Sequence, residues 1–465
     1  MLDSDWHDQS GPHFTPFKPP SAVAPSRWPS PRPYLYWRMI NNFIEAWPCE
    51  VYDDLIVDCG HILPGAFLLN DPAAIRHVFR NAGGNYVPSR QQVRVLTSLF
   101  GASTIATTSG AQWAADRQIY EAAVAPEKVA GIRRALRLNA EDLAAQWRTE
   151  TAPVLIDPGV SLYSLRGIST LALSWRAGGY VDSLAQSLSL VDKSIGRITL
   201  GAFLRLNVVF PIGARGRAEG TLRDLESRIR TEISARRTAG SAGDDLLGLY
   251  LCRQAVERHL SDAVVVANVI ALLSSGYDTT AAALGWFLFL LAGDQALQDE
   301  VRCELAPFAA EESDGARTAA IAAPVARAVF QETTRLYPSL PLLARRAEKA
   351  DQVGAFAIPA GSTVFVSPYV VHRHRRFWRQ PDLFDPFRFL GARRKEHSEG
   401  AYMPFGTGQR TCVGMQLAYR EVFTAAAVVL KHLTLAIDEN HPVSLSSRIG
   451  LRARHGLKLH MQPRR

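Results

Sequence analysis

A ten-residue segment near the C-terminus, FGTGQRTCVG (residues 405–414), places one cysteine among three glycines and an arginine. A strong helical pattern, QLAYREVFTAAAVVLKHL, follows it, so Cys412 stands just before a helix N-terminus. Free backbone N–H groups and the helix dipole favour a thiolate at such a position. Gly408 can adopt a turn conformation closed to other residues and leave amides free to point at the sulfur. The segment therefore has what a cysteine needs to bind a metal ion as a thiolate.

Three further residues of this segment suit a large, flat ligand. Gly414 lets the backbone approach a bulky planar group, and Arg410 supplies a permanent charge that suits a carboxylate. Phe405 can pack against the sulfur and shield it from water. An aromatic cover, amide donors and space beside the sulfur are what an iron-bound cysteine requires. The alternative is that Cys412 is a small, inert, buried residue in a tight loop.

The spacing Phe405-x-x-Gly408-x-Arg410-x-Cys412-x-Gly414 resembles the haem-binding loop of the cytochrome P450 superfamily, a group of haem-thiolate enzymes. The resemblance implies haem b as the cofactor, with Cys412 as the metal ligand and Phe405, Arg410 and Gly414 as cofactor-binding residues. In that family the thiolate pushes electron density into the iron and favours O–O cleavage. The resemblance also implies a mainly α fold with a smaller β region. Haem would lie between an oxygen-binding helix and residues 405–414, here called the Cys loop.

A second resemblance to this family concerns charged residues upstream of the Cys loop. In VFQETTRLYP, Glu332 and Arg335 are three apart on one helix face, and they resemble the family's Glu-x-x-Arg pair. FDPFRF (residues 384–389) resembles the stretch that adds a second arginine, here Arg388. The family usually has Glu where this chain has Phe387. Glu332, Arg335 and Arg388, here called the charge cluster, are expected to fix the local geometry more than they stabilise it.

The segment NVIALLSSGYDTTAAALGWFLFLL is a long apolar helical pattern interrupted by SSGYDTT. A buried Asp beside two Thr is costly unless it forms hydrogen bonds or has a function. The structural interpretation is a kink, in which Thr279 bonds to the carbonyl of Ser275 and Gly276 marks a widened turn. The functional interpretation includes that kink, because the pattern resembles the family's oxygen-binding helix. The resemblance implies that Asp278 and Thr279 relay protons to dioxygen through water. It also implies that Gly276 is one of the cofactor-binding residues.

Two further motifs suit the carboxylates of a haem. Trp113 and Arg117, in SGAQWAADRQIY, share a helix face at i and i+4, and both can donate hydrogen bonds to a carboxylate. The alternative is a core Trp beside a surface Arg. The motif resembles the family helix that binds a haem propionate. Arg345, in PLLARRAEKA, matches another propionate-binding position, with the adjacent Arg346 as the alternative.

The elements around these residues are mostly helical. Helical patterns dominate residues 110–336, and strands and turns follow Pro338. The first 35 residues contain eight prolines and no apolar period, which predicts an extended tail. With 47% hydrophobic residues the chain can bury a large core. The sequence therefore predicts a Pro-rich tail over residues 1–35 and one haem domain over residues 36–465.

Composition also limits which partners the protein can bind and which cellular compartment it occupies. The formal charge of +8 is too diffuse to indicate nucleic-acid binding. Five scattered cysteines without a CxxC pair argue against a disulfide framework and favour a reducing compartment. The N-terminus lacks a signal-peptide pattern, and the apolar run AAALGWFLFLLAG is too short to span a bilayer. We expect a cytoplasmic protein without a nucleic-acid partner and without an integral membrane segment.

The function implied by the resemblance is a monooxygenase that inserts one oxygen atom of O2 into a hydrophobic small molecule. Largely apolar segments at residues 93–106, 199–213 and 338–344 are expected to line its cavity, which suggests a lipid, a terpenoid or a similar substrate. Because 53 residues follow Cys412, electrons are expected from a separate ferredoxin or flavodoxin with its reductase. Basic residues such as Arg393, Arg394 and Lys395 are expected to help dock that donor.

Three alternatives remain open from the sequence. A peroxide-driven or isomerising haem-thiolate enzyme would not need the acid–alcohol pair of Asp278 and Thr279. A haem sensor or electron carrier would show no spectral shift with substrate. An ordinary helical protein with a structural cysteine would bind no haem.

Overall fold

The computed structural model describes residues 14–22, 24–25, 38, 42–60, 64–80, 84–175, 177–185, 187–188, 212–257, 260–310, 323–447 and 450–464. Its α-helices are α1 (Pro72–Arg80), α2 (Arg90–Phe100), α3 (Gly110–Ala123), α4 (Pro126–Gly131), α5 (Arg133–Arg148), α6 (Asp157–Leu173), α7 (Ile212–Thr238), α8 (Leu246–Val256), α9 (Asp262–Ala292), α10 (Gln295–Ala309), α11 (Pro324–Leu336), α12 (Pro368–Val371) and α13 (Met415–His432). Its β-strands are β1 (Ile56–Asp58), β2 (Ala66–Leu69), β3 (Tyr86–Pro88), β4 (Val154–Leu155), β5 (Leu343–Ala347), β6 (Asp351–Val353), β7 (Phe356–Ile358), β8 (Thr363–Val366), β9 (Leu433–Ile437), β10 (Leu445–Ser447), β11 (Leu451–Ala453) and β12 (Lys458–Pro463). The predicted mainly α fold with a smaller β region is confirmed.

Helix α9, 31 residues long, lies at the centre of the hydrophobic core. Its second half is apolar on every side, which is typical of a helix surrounded by other elements. Helices α6, α11 and α13 pack against it, and Trp286 stacks on Tyr337 with ring centroids 3.8 Å apart. Within the described ranges α9 is also the one helix long and apolar enough to cross a membrane, and 56% of its most apolar stretch is buried inside the protein. This helix places the SSGYDTT segment in the middle of the molecule.

Arg345 lies in the largest β-sheet, whose strand order is β1–β2–β8–β5–β3. Strands β2 and β8 run parallel, and the other neighbours are antiparallel. Arg345 is opposite Val364 on β8 and Pro88 on β3. Because successive side chains of a strand point to opposite faces, Arg345 and Arg346 face different sides of this sheet.

The hairpin of β10 and β11 lies beside the centre of α9. The backbone N–H of Leu451 donates to the carbonyl of Ser339 (3.1 Å), and the Trp286 ring N–H donates to the carbonyl of Leu451 (3.4 Å). A Cβ on Gly450 would lie 3.0 Å from the Asp278 carboxylate. The hairpin therefore contacts α9 at the predicted acid–alcohol pair.

The described residues of the Pro-rich segment pack on the folded core. The N–H of Phe384 donates to the carbonyl of Phe17 (2.8 Å), and the hydroxyl of Tyr337 donates to the carbonyl of Pro20 (2.7 Å). The Phe14 ring lies 5.6 Å from that of Phe387, the residue that stands where the family usually has Glu. Aromatic packing with residues 14–17 thus accounts for the phenylalanine at this position. The predicted boundary at residue 35 stays a prediction.

Candidate active site

The Cys loop rests between α1 and the start of α13. The backbone N–H of Cys412 donates to the carbonyl of Phe405 (2.9 Å), which closes the loop. Gly408 has a φ of +73°, and a Cβ there would lie 2.1 Å from the carbonyl oxygen of Phe79. Both the conformation and the close approach exclude a side chain, so only glycine lets the loop rest directly on α1.

Phe405 and Gly414 lie on either side of Cys412 along the loop. The Phe405 ring packs near Tyr419 and Phe330, with centroids 6.1 and 6.5 Å away. Gly414 is the N-cap of α13, and a Cβ on it would lie 3.9 Å from the Cys412 sulfur. The sulfur is therefore placed at the beginning of α13, as the sequence pattern predicts.

Cys412 is an exposed residue, although many protein atoms surround its thiol group. A residue on the wall of a deep crevice shows both properties, contact with solvent and many neighbouring protein atoms. Burial raises the pKa of the thiol, whereas the Gly414 amide and the charge of Arg117 act in the opposite direction. In the protein alone, desolvation outweighs these two influences, and the thiolate form of Cys412 stays a prediction. A metal ion bound to the sulfur would reverse the balance, since coordination deprotonates a thiol.

Three arginines, Arg117, Arg345 and Arg410, come together beside the Cys loop. Burial lowers the pKa of Arg345 to about 10. Burial, and then the charges of Arg345 and Arg117, lowers the pKa of Arg410 to about 10. Within the described part of the chain, Arg345 and Arg410 form no ion pair with a carboxylate. Because buried charge without a counterion is costly, this group fits a ligand that brings its own carboxylates, as the two propionates of haem do.

The guanidinium of Arg410 is oriented by the segment before α3. It donates to the carbonyl oxygens of Ile105 (3.2 Å) and Thr108 (2.6 Å). Its central carbon lies 4.7 Å from the ring centroid of Trp113. Trp113 is therefore brought against the Cys loop, and its contact there is a cation–π interaction.

Arg117, one turn after Trp113 on α3, also reaches the Cys loop. It donates to the carbonyl of Thr411 (2.6 Å), next to Cys412, and to the carboxylate of Glu121 (2.7 Å). The structure thus brings both members of the predicted Trp113 and Arg117 pair to the Cys loop.

The choice between Arg345 and Arg346 follows from the strand geometry. The Arg345 guanidinium lies 4.6 Å from the ring centroid of Phe79 and contributes to the electrostatic environment of Arg410. Arg346, on the opposite face of β5, pairs with Glu348. Arg345 is therefore the residue of the two that faces the Cys loop.

Helix α9 presents a hydroxyl-rich patch between buried stretches. Ser275 is exposed, although residues 269–273 and 280–292 are buried. The Thr279 hydroxyl donates to the carbonyl of Ser275 (2.6 Å), the bond expected for a kink. The helix is continuous through Gly276, however, where a Cβ would lie 2.7 Å from Ile168 on α6. The widened turn predicted at Gly276 is therefore absent, and α6 packs closely against this glycine instead.

Asp278 is held by a residue that the sequence patterns did not indicate. Arg452 on β11 forms an ion pair with the Asp278 carboxylate and donates to its carbonyl oxygen (2.7 Å). The hydroxyl of Ser339 donates to the carbonyl of Thr279 (2.9 Å). Arg452 is far away in sequence and matches no spacing rule, so only the fold could identify it.

The charge cluster is assembled and fully enclosed. Arg335 donates to both oxygens of Glu332 (2.6 and 2.8 Å), and Arg388 donates to one of them (3.0 Å). The backbone N–H of Asp385 adds a fourth hydrogen bond to Glu332 (2.9 Å). Although burial alone raises the pKa of Glu332, the two guanidinium groups outweigh it and lower the pKa below the usual value. The carboxylate is therefore ionised and satisfied.

His372 connects the charge cluster to the chain that enters the Cys loop. Its Nδ1 donates to the carbonyl of Arg335 (3.0 Å), and its Nε2 accepts from the N–H of Met403 (2.9 Å). These two bonds require the neutral imidazole. Burial, with the charges of Arg335 and Arg373, lowers the pKa of His372 to about 3. His372 is therefore a structural residue that supports the segment before Phe405.

The first prediction concerns acid stability. The unfolded chain takes up a proton at the His372 position near the ordinary histidine pKa of about 6.5, whereas in the folded protein the pKa of His372 is about 3. Stability contributed by this residue is thus complete above about pH 6.5 and falls by about 1.4 kcal/mol per unit as pH drops toward 3. Urea unfolding at several pH values should show this slope reduced in His372→Gln. The exposed His455, changed to Gln as the control, should leave the slope intact; an equal slope in both variants would contradict the assignment.

A family profile described as "Cytochrome P450" matches residues 64–457. "Cytochrome P450 4X1" of Rattus norvegicus is 25% identical over 334 residues, which cover 68% of this chain and 66% of that relative, just under two thirds. "Cyclooctatin synthase" of Streptomyces melanosporofaciens is 28% identical over 336 residues, covering 70% of this chain and 71% of the relative.

Solved structures share the fold at lower identity. "Retinoic acid bound cyanobacterial CYP120A1" superposes with a TM-score of 0.75 at 20% identity, covering 86% of this chain and 89% of that one. "Crystal structure of cytochrome P450DA heme domain" gives a TM-score of 0.74 at 22% identity, covering 86% and 88%. At this identity the likeness shows the shared fold alone.

Proposed function

Since this chain belongs to the cytochrome P450 family, we propose that it is a haem-thiolate monooxygenase that inserts one oxygen atom of O2 into a hydrophobic small molecule. The observation that supports this most directly is the group of Arg117, Arg345 and Arg410 beside an accessible Cys412. A dicarboxylate ligand with a metal centre matches both features. Haem b, when bound, would supply the iron that activates dioxygen.

Different residues of the Cys loop and its neighbours would bind different parts of that cofactor. Cys412 would be the thiolate ligand, with its sulfur shielded by Phe405. Arg345 and Arg410 would neutralise the propionates, and Arg117 orients the loop through the Thr411 carbonyl. Gly276, predicted to contact the cofactor, would instead keep α9 close to α6.

On α9, across the proposed haem site from the Cys loop, Asp278 and Thr279 would transfer protons. The Thr279 hydroxyl lies next to the exposed Ser275 and can hold a water molecule there. Asp278 is ion-paired with Arg452, which links it to the hairpin rather than to the exposed patch. A proton taken up at this ion pair could reach Thr279 through water.

The second prediction tests this division of roles. In Thr279→Ala the product formed per NAD(P)H consumed should fall roughly tenfold, because the hydroxyl that directs the proton is lost. The spectral shift on substrate binding should persist. Thr279→Ser keeps the hydroxyl and is the matched control. Unchanged coupling in Thr279→Ala would favour the peroxide-driven or isomerising alternative.

A hydrophobic substrate, such as a lipid or a terpenoid, is the substrate class we propose. The segment after α2 is attached to α9, since Asn268 binds the carbonyl of Ser103 (3.0 Å) and the N–H of Ile105 (3.0 Å). Residues 338–344 reach the same region through Ser339. The third predicted lining segment, 199–213, lies outside the described residues over 199–211. Absorption shifts across a compound library would identify the ligand.

For the electron donor we propose a separate acidic ferredoxin or flavodoxin that docks beside the Cys loop. Arg394 and Lys395 are exposed, and Arg394 contributes to the environment of Tyr419, whose ring is 6.1 Å from Phe405. Arg393, in contrast, is engaged by Asp385 (2.6 Å). Of the three basic residues expected to dock the electron donor, Arg394 and Lys395 are therefore the two that we propose. We propose no nucleic-acid partner.

The third prediction reverses those two charges. Arg394→Glu/Lys395→Glu should slow reduction by an acidic ferredoxin roughly tenfold at low ionic strength, and the difference should shrink with salt. Arg228→Glu/Arg230→Glu on α7 is the control, because these surface pairs contribute little. An unchanged salt dependence would rule out this docking face.

The compartment we propose is the cytoplasm. All five cysteines are free thiols, which suits a reducing compartment. Fractionation of the native host would test the location directly.

A further inference from the structure

A short turn before α3 joins the Cys loop to α9. Residues 102–108, here called the Thr turn, are shaped by hydrogen bonds that their threonines form within the turn. The backbone N–H of Thr104 donates to the Thr107 hydroxyl (3.0 Å), which donates to the carbonyl of Ala102 (2.8 Å). The Thr108 hydroxyl donates to the carbonyl of Thr104 (2.9 Å), and Thr104 is fully buried. The Thr turn is therefore a hydrogen-bonded unit, so a displacement of one end displaces the other.

The first residues of the Thr turn are bound by Asn268, a fully buried residue of α9. Its side-chain oxygen accepts from the N–H of Ile105 (3.0 Å), and its side-chain nitrogen donates to the carbonyls of Ser103 (3.0 Å) and Val264 (3.0 Å). Val264 is one turn earlier on α9, so the helix itself orients the amide. The opposite amide orientation would bring the NH2 group against an N–H and the oxygen against two carbonyls. The amide is therefore held in one orientation.

The last residues of the Thr turn are bound by Arg410 of the Cys loop. One terminal nitrogen of the guanidinium donates to the carbonyl of Ile105 (3.2 Å), and the other donates to the carbonyl of Thr108 (2.6 Å). Because a guanidinium is planar and rigid, bonds from both terminal nitrogens fix its plane and leave its remaining N–H groups for a carboxylate. The N–H of Ile105 binds α9 and its carbonyl binds the Cys loop, so a single residue separates Asn268 from Arg410.

Helix α3 meets the same residue of α9. The hydroxyl of Tyr120 donates to the backbone carbonyl of Asn268 (2.6 Å). Tyr120 is seven residues after Trp113, so the two share one face of α3. Trp113 in turn packs against the guanidinium of Arg410, 4.7 Å from its ring centroid. The hydrogen-bonding and the aromatic partners of Arg410 are thus both attached to α9 at Asn268.

We propose that Asn268 is a positioning residue that, through the Thr turn, orients the Arg410 guanidinium for its contact with a haem propionate. This role rests on the proposed haem site but on no step of the proposed reaction. Without the Asn268 amide, the N–H of Ile105 and the carbonyl of Ser103 lose their partners, and the Thr turn shifts to recover hydrogen bonds elsewhere. The guanidinium bound to the turn shifts with it.

A misplaced Arg410 has an electrostatic consequence for the haem. A propionate that is farther from the guanidinium keeps more of its negative charge unneutralised. Because reduction adds an electron to the iron, the additional negative charge disfavours the reduced state and lowers the reduction potential of the haem. The propionate is also held less tightly, so the haem dissociates faster.

The test compares the haem-loaded protein with Asn268→Leu, which is similar in size but removes all of the side-chain hydrogen bonds. We expect a lower reduction potential in Asn268→Leu, and transfer of haem to excess apomyoglobin roughly tenfold faster. Gln298→Leu is the matched control, because Gln298 on α10 is another buried amide, whose bonds to backbone atoms of Leu291 and Leu435 follow the same pattern. Its loss should reduce stability similarly and leave the potential unchanged.

A double-mutant cycle separates positioning from a general structural effect. If Asn268 acts through Arg410, Asn268→Leu should lower the potential of the unmodified protein but cause no further shift in Arg410→Gln. Equal shifts in the two backgrounds, or an unchanged potential in Asn268→Leu, would overturn the proposal. If Asn268→Leu does not fold, Thr107→Val weakens the Thr turn itself and should also lower the potential; an unchanged potential in that variant would be contrary.

Hydrogen exchange of the full-length chain as purified gives a readout that does not depend on haem. The Ile105 amide should exchange faster in Asn268→Leu and keep its protection in Gln298→Leu, because only the first variant removes its acceptor. Equal exchange in the two variants would show that Asn268 does not hold the Thr turn. Failure of the unmodified protein to bind haem would refute the proposed function instead, while the exchange rates would still report on Asn268.

Discussion

Cys412→Ser is expected to abolish the red-shifted Soret band that thiolate ligation gives to the reduced carbon monoxide complex. The serine hydroxyl stays protonated and cannot donate electron density to iron as sulfur does. Product formation should fall by about 10,000-fold, the scale on which removal of an essential catalytic group acts. Reduction with dithionite under carbon monoxide is the measurement.

Cys303→Ser is the matched control, because Cys303 is an exposed cysteine on α10. It should leave both the spectrum and the turnover intact. A Cys412→Ser protein with an undiminished band would mean that another atom binds the iron. A colourless unmodified protein, despite added hemin, would favour the alternative of a structural cysteine.

Glu332→Ala is expected to cause the largest loss of stability. Glu332 and Arg335 are fully buried and Arg388 nearly so, so the change leaves two guanidinium groups without a counterion. Breaking a buried ion pair in this way costs about 3–5 kcal/mol. Haem should also dissociate faster, because Arg335 binds His372, which supports Met403. Urea unfolding and haem transfer would measure the two effects.

Two further variants calibrate the loss of stability expected for Glu332→Ala. Glu332→Asp keeps the charge but shortens the side chain, so its loss should be smaller. Glu226→Gln removes an exposed partner of Arg230 on α7, and surface pairs contribute at most about 1 kcal/mol. A loss for Glu332→Ala no larger than that of Glu226→Gln would show that the cluster does not hold this region together.

Much of the site could be predicted because local spacing decides which side chains share a face. The Thr279 bond to the Ser275 carbonyl follows from residues four apart on a helix. The Glu332 and Arg335 pair follows from residues three apart. The Cys loop motif and these helix motifs together led to the family and the fold, which the comparisons confirm.

What the tertiary structure alone decided depends on contacts between distant segments and on burial. Arg452 binds Asp278 across 174 residues of sequence, and the Tyr163 hydroxyl on α6 donates to the carbonyl of Glu421 on α13 across 258 residues. The pKa of Cys412 is raised although amides and a helix N-terminus favour the thiolate. Desolvation depends on all the atoms that surround a group, and no local pattern in the sequence specifies those atoms.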